Sequence, residues 1–210
     1  MFTLKDIKFK DILDIKNLEI KKENVTIISG PSGSGKSTLL KMLNNLLSPD
    51  EGDIYYKDEN IKDLDPINLR RKVLMLPQSP TVFNGTIYDN IKLAFKYSEK
   101  RIPDKDTIKK ALDDFNLDKD LDDDAGNLSG GEKQKLAIVR IILLKAQVFL
   151  LDEPTSALDR ENEDEVMEKI IGFAQKEDIK IIMVTHSNYL KGKYNEDIID
   201  ISKKGLDNEW

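Results

Sequence analysis

Residues 30 to 37 read Gly-Pro-Ser-Gly-Ser-Gly-Lys-Ser, the pattern G-x-x-x-x-G-K-[ST]. A loop of this kind between an apolar strand and a helix bares backbone N–H groups around a phosphate. The helix that follows turns its positive N-terminal end toward the same anion. Gly30, Pro31, Ser32, Gly33, Ser34 and Gly35 supply the cradle. Lys36 reaches the β- and γ-phosphates, Ser37 offers its hydroxyl to Mg²⁺, and Thr38 is placed to hydrogen-bond a phosphate oxygen. The chemistry implied is the binding of a nucleoside triphosphate.

Three further groups extend that chemistry. Val148-Phe149-Leu150-Leu151 is an apolar run that ends in Asp152-Glu153. A buried parallel strand delivers Asp152 to its carboxyl edge, where ligands bind, as an Mg²⁺ ligand. Glu153 faces another way and suits a general base or water positioner. His186, the chain's single histidine, follows the apolar strand 181–185, and Gln78 follows the strand 73–76 and Pro77. His186 at that edge would contact the γ-phosphate and help to orient the water. Gln78 would sense Mg²⁺ or the attacking water. The third group, Leu128-Ser129-Gly130-Gly131-Glu132, bares a backbone at a helix start but has no lysine pattern around it. By itself Ser129 reads there as a helix N-cap.

The elements that must position these residues are legible from periodicity. Strands are expected at residues 2–4, 15–20, 25–29, 52–56, 73–76, 148–151, 179–185 and 198–201. Helices are expected at 38–47, stopped by Ser48-Pro49, and at 87–95, 104–115, 131–144 and 160–175. Buried strands alternating with helices mean a mainly parallel sheet covered by helices. Residues of about 80–145 interrupt that core as a helical insertion. With no linker and no repeat, residues 1–210 read as one domain whose core spans about 1–79 and 146–210.

Composition bounds the alternatives. The 210 residues are 39% hydrophobic with a net charge of −6, and the lysines are dispersed. Such a surface repels nucleic-acid phosphates. Cysteine is absent, which excludes disulfides and thiolate metal sites. Apolar runs stop at four residues, too short to span a bilayer, and the N-terminus has no secretory or transit character. A cytoplasmic location is expected. Asp122-Asp123-Asp124 lacks the spacing of a calcium loop and reads as a solvated acidic stretch.

The order of Gly30–Ser37, Gln78, Leu128-Ser129-Gly130-Gly131-Glu132, Asp152-Glu153, Ser156-Ala157-Leu158-Asp159 and His186 resembles the ATPase subunit of ATP-binding-cassette (ABC) proteins over nearly the whole chain. The resemblance implies an α/β P-loop NTPase fold of RecA-like type. It would have a mainly parallel core, an N-terminal antiparallel β subdomain and an inserted helical subdomain. It also implies ATP and Mg²⁺ as cofactors and hydrolysis of ATP. Two subunits, here a homodimer, would close head to tail. The Ser129 hydroxyl and the Gly130 and Gly131 amides of one would then cover the γ-phosphate held by the other, and Asp159 would communicate between the two sites.

Partners follow from the same resemblance: a second ATPase subunit and an integral membrane permease, with no nucleic acid. The subunit would sit peripherally on the cytoplasmic face of the membrane. The stretch from Pro77 to Ile91 resembles an exporter-type pattern, and Val82, Phe83, Ile87 and Tyr88 are candidates for an apolar surface toward the permease. The compact chain, without a C-terminal regulatory extension, looks most like ATPases of iron-export transporters. The alternative is a soluble ABC ATPase such as an iron–sulfur assembly factor. One feature departs from the family. Residues 10–14 hold no aromatic to stack on adenine, and Phe9, the nearest, alternates with Ile7 as a core residue would.

Overall fold

The computed structural model describes residues 1–21, 24–158, 160–194, 198–202 and 206–208. In chain order the elements are β1 (Phe2–Phe9), β2 (Leu13–Ile20), β3 (Val25–Ser29), α1 (Lys36–Leu43), β4 (Glu51–Tyr56), β5 (Glu59–Asn60), α2 (Pro66–Lys72) and β6 (Val73–Leu76). Then come α3 (Ile87–Tyr97), α4 (Lys105–Asp114), a 3₁₀ turn (Ala125–Asn127), α5 (Gly130–Leu144), β7 (Val148–Asp152), α6 (Arg160–Lys176), β8 (Lys180–Val184), α7 (Asn188–Lys193), β9 (Ile198–Asp200) and β10 (Leu206–Asn208).

Two sheets result. One has the order β10-β2-β1-β4-β5. Its β1 runs antiparallel to both β2 and β4, which alternate buried and exposed side chains, so that Leu4 faces Leu18 and Ile7 faces Ile15. The other has the order β6-β7-β8-β3-β9, and every pairing in it is parallel. The expected α/β architecture, a parallel core with an antiparallel N-terminal sheet and helices between β6 and β7, is therefore the one observed.

The apolar runs explain why the parallel sheet sits at the centre. Val148 and Leu150 pack with Ile182, Val184, Leu39 and Leu40 on one face. Phe149 and Leu151 pack with Ile181, Met183 and side chains of α3, α5 and α6 on the other. All four residues before Asp152 have no exposed surface. Each such burial contributes about 2 kcal/mol, which fixes the strand end that carries the carboxylates. Because the strands are parallel, the ends of β3, β6, β7 and β8 all open on one edge of the sheet.

Several elements differ from the sequence expectation. Helix α1 ends at Leu43, not at residue 47, because Asn45 turns left-handed at φ 56° and the Lys41 carbonyl accepts from both Leu46 and Leu47. Helix α2 was not expected, since only Leu69 of it is buried and its periodicity is weak. Its start signal was nonetheless present: Asp65 caps Ile67 N–H and Pro66 occupies the first turn. Helix α7 is likewise short and rests on a Ser187 cap. The strands β5 and β10 are too brief to show a period. Among the described residues no helix is long and apolar enough to cross a membrane.

Candidate functional site

The phosphate loop leaves β3 and enters α1 at Lys36. It can form only with glycine at two tight points. A Cβ on Gly30 would stand 2.7 Å from Ser34 Oγ, and one on Gly35 would stand 2.6 Å from Leu13 Cδ2, where the backbone has φ 94°. The Lys36 ammonium donates to the carbonyls of Gly30 (3.0 Å) and Pro31 (2.8 Å), which holds its charge against the loop. Ser34 Oγ is buried with no hydrogen-bond partner. An anion seated on the loop would meet that hydroxyl, the Lys36 ammonium and the positive end of α1, so the residues present fit a polyphosphate. Thr38 is half-buried on the first turn of α1.

At the end of β7 the two carboxylates part company. Asp152 Oδ1 accepts from the Ser37 hydroxyl at 2.9 Å, on the α1 side of the sheet. Burial pushes the Asp152 carboxyl up from its ordinary value; the Ser37 hydrogen bond works against that rise, and the neighbouring Glu153 charge adds to it. A buried, all-oxygen pair with this electrostatic cost suits a hard divalent cation such as Mg²⁺.

Glu153 turns the other way. Its Oε2 accepts from Gln78 Nε2 at 2.9 Å, and its Oε1 lies 3.0 Å from His186 Nε2. An ionised carboxylate accepts only, so that contact selects the imidazole form with its proton on Nε2. The backbone of Glu153 is left-handed at φ 47°, a region non-glycine residues rarely adopt. Gln78, Glu153 and His186 thus come from three different strands to one point, with Asp152 and Ser37 beside it. Gln78 is exposed and its amide N–H₂ is turned to Glu153 rather than to the Ser37–Asp152 pair. Its Oε1 is the atom it would offer a cation.

The Ser129 turn is built as a helix start. Ser129 Oγ accepts from Glu132 N–H at 3.3 Å, and Glu132 Oε2 accepts from Ser129 N–H at 2.8 Å. These bonds and the Lys119 ammonium hold the Glu132 carboxyl down at about 2. Ser129 and Gly130 are exposed. Among the described residues the hydrogen bonds of this turn close within the helical block, and none joins it to the phosphate loop of its own chain. Asp159 lies outside the described residues.

A cavity of about 320 Å³ adjoins the loop, lined among others by Ile12, Leu13, Ile15, Pro31 and Ile201. Phe9 is not among its walls; it is partly buried against the core, with the Lys10 ammonium 5.2 Å over its ring. The apolar surface expected around residue 83 is smaller than the sequence suggested. Phe83 is 44% exposed, but Ile87 is fully buried and Val82 and Tyr88 pack partly against the core, because α3 turns that face inward. The fully buried Asn90 holds Phe83 in place through both its backbone N–H and its carbonyl, each at 2.9 Å. The acidic stretch serves local turns: Asp124 caps the 3₁₀ turn at Gly126, and Asp123 accepts from Asp120 N–H.

Sequence reasoning passed over three supporting contacts. Gln134 Nε2 donates to the Pro154 carbonyl, Thr155 Oγ1 donates to Glu163, and Ser187 Oγ donates to Asp164 beside His186. Only Gln134 carried a signal, as a polar residue three and four positions before Ala137 and Ile138 on the buried face of α5.

A family model described as ABC transporter matches residues 13–156. The phosphate import ATP-binding protein PstB of Malacoplasma penetrans is 42% identical over 207 residues, covering 89% of this chain and 71% of that protein. The protein named probable iron export ATP-binding protein FetA of Escherichia coli is 37% identical over 176 residues, covering 83% and 78%. Among solved structures, cbiO1 of Clostridium perfringens, part of the ABC transporter complex cbiONQ, superposes with a TM-score of 0.72 at 27% identity over 89% of this chain and 78% of that one.

Proposed function

Because the chain belongs to the ABC transporter family, as an ATP-binding subunit and an ATPase, we propose that two copies close around ATP and that its hydrolysis drives a separate membrane permease. The observation that carries this reading is the convergence of Gln78, Glu153 and His186 beside the Ser37–Asp152 pair and the Lys36 loop.

In this reading the loop and Lys36 hold the phosphates and neutralise their charge. Ser37 and Asp152, with the Gln78 oxygen, would hold Mg²⁺, which supplies charge compensation on the phosphates when bound. Glu153 positions the attacking water and accepts its proton, and His186 keeps the carboxylate aimed and contacts the γ-phosphate. Ser129, Gly130 and Gly131 of one chain close the site of the other with a hydroxyl and a helix N-terminus. That role accounts for the exposure of Ser129 and Gly130 and for the turn's having no lysine of its own. Residues of about 80–145 act as the subdomain that meets the permease, with Phe83 at its surface, and the subunit sits at the cytoplasmic face. Relatives of similar identity are named for phosphate import and for iron export, so the shared ATPase parts do not encode the cargo, which belongs to the permease.

The test is phosphate release from MgATP by the purified chain and by Lys36→Ala and Glu153→Gln. Loss of turnover in both, with ATP still bound by Glu153→Gln, is expected. Near-normal hydrolysis by Glu153→Gln would remove Glu153 from its role.

A further inference from the structure

Among the buried residues of α5, only Gln134 is polar. It has no exposed surface. Its Nε2 donates to the Pro154 carbonyl at 2.6 Å, while its Oε1 is buried without a partner. One of the amide's two polar atoms is buried without a partner, a cost that packing alone does not explain, since an apolar side chain there would bury no unmet amide oxygen. The residue therefore points to a use for the one bond it makes.

The carbonyl it holds is adjacent to Glu153. Glu153 is left-handed at φ 47°. It also precedes a proline, which restricts its backbone further. A conformation of this kind persists only where the surroundings impose it. Glu153 N–H donates to the Val184 carbonyl at 3.0 Å, and Ser156 N–H donates back to the Glu153 carbonyl at 3.1 Å. Those bonds fix the two sides of the Glu153 residue itself. Gln134 fixes the next peptide, and it does so from another element. A second contact joins the same two parts: a Cβ on Gly131 would stand 3.2 Å from the Ala157 carbonyl, so the first turn of α5 lies against the far end of the turn that begins at Glu153.

We infer that Gln134 is a positioning residue for Glu153: its hydrogen bond to the Pro154 carbonyl sets the backbone that aims the Glu153 carboxylate at Gln78 and His186. This rests on the reading of Glu153 as the residue that positions water. Through this bond the helix that begins at Ser129 and the catalytic carboxylate of the same chain move together. In a head-to-tail dimer those two features serve different ATP sites.

Gln134→Met keeps the length of the side chain and removes the donor. Its kcat should fall roughly tenfold through displacement of Glu153, with KM for ATP and the melting temperature unchanged. A residue that merely fills the core would lower the melting temperature and leave kcat alone. Because Gln134 acts through Glu153, adding Gln134→Met to Glu153→Gln should not lower the residual single-turnover rate further. Gln134→Leu, which also lacks a donor, should lose kcat to a similar degree and serves if the methionine variant fails to fold. A normal kcat in these variants overturns the inference, as does an equal loss in the wild-type and Glu153→Gln backgrounds. If Glu153→Gln itself turns over normally, the reading of Glu153 fails instead, which keeps the two failures apart.

Discussion

Asp152 and Glu153 are neighbours in sequence and, among the described residues, hydrogen-bond to different side chains. One is buried against Ser37; the other is turned to Gln78 and His186 by a left-handed backbone. In the proposed reading that division gives charge compensation to the first and proton transfer to the second. His186→Ala should lower kcat by about 10²-fold or more while leaving ATP affinity within about twofold, because in the proposed reading the imidazole aims a carboxylate and adds one γ-phosphate contact to the many made by the loop. Steady-state kinetics with a separate ATP-binding titration checks this. The base is held differently. With Ile12 40% exposed and no aromatic among the described residues that line the cavity beside the loop, ATP and GTP should bind within about tenfold of each other. Ile12→Tyr should tighten binding of both; a wide preference for ATP in the unmodified chain would show that another contact reads the base. These residues were legible in the sequence because each follows an apolar run that could only be a buried strand. The left-handed Glu153 was not, since nothing in the residue type announces a φ that the surrounding contacts impose.

Helix α5 shows what the sequence could and could not give at the next scale. Its start was legible from Ser129, which reads as an N-cap; the return bond from Glu132 is a finding of the structure. Its sideways attachments were not: Arg140 donates to the Thr81 carbonyl at 2.7 Å, tying α5 to the segment that presents Phe83. Arg140→Met, which keeps the stem and drops the fork, should reduce the permease-stimulated rate several-fold and leave the basal rate unchanged. Reconstitution with the permease reads both. The capping box also gives α5 a pH signature. The Glu132 carboxyl is held at about 2 against an ordinary 4.5. A depressed acid stabilises the fold above its unfolded value, and that contribution fades as pH falls from 4.5 toward 2. Glu132→Gln should flatten the dependence of melting temperature on pH across that interval; an unchanged slope would place the acid sensitivity elsewhere. Helix α1 is the contrary case, ended by Asn45 four residues before the proline that seemed to stop it. A left-handed asparagine ends a helix without any break in the apolar pattern, so periodicity alone overran it.

At the scale of the molecule, the parallel sheet divides the work. One face, packed on α1 and the antiparallel sheet, carries the phosphate loop. The other, packed on α3 to α6, carries the exposed Ser129 turn and Phe83. The fold class was legible because four-residue apolar runs alternate between the two cores. The proposed second chain is not legible from pattern or spacing; the exposed Ser129 turn and the family resemblance are what support it. Ser129→Arg, which puts bulk and positive charge into the proposed contact, should block ATP-dependent dimers while sparing ATP binding. The most direct measurement is the mass of Glu153→Gln in solution by light scattering, with and without MgATP. A shift from monomer to dimer on adding MgATP, abolished by Ser129→Arg, is the predicted result. A monomer that binds MgATP yet never dimerises would contradict a site built from two chains.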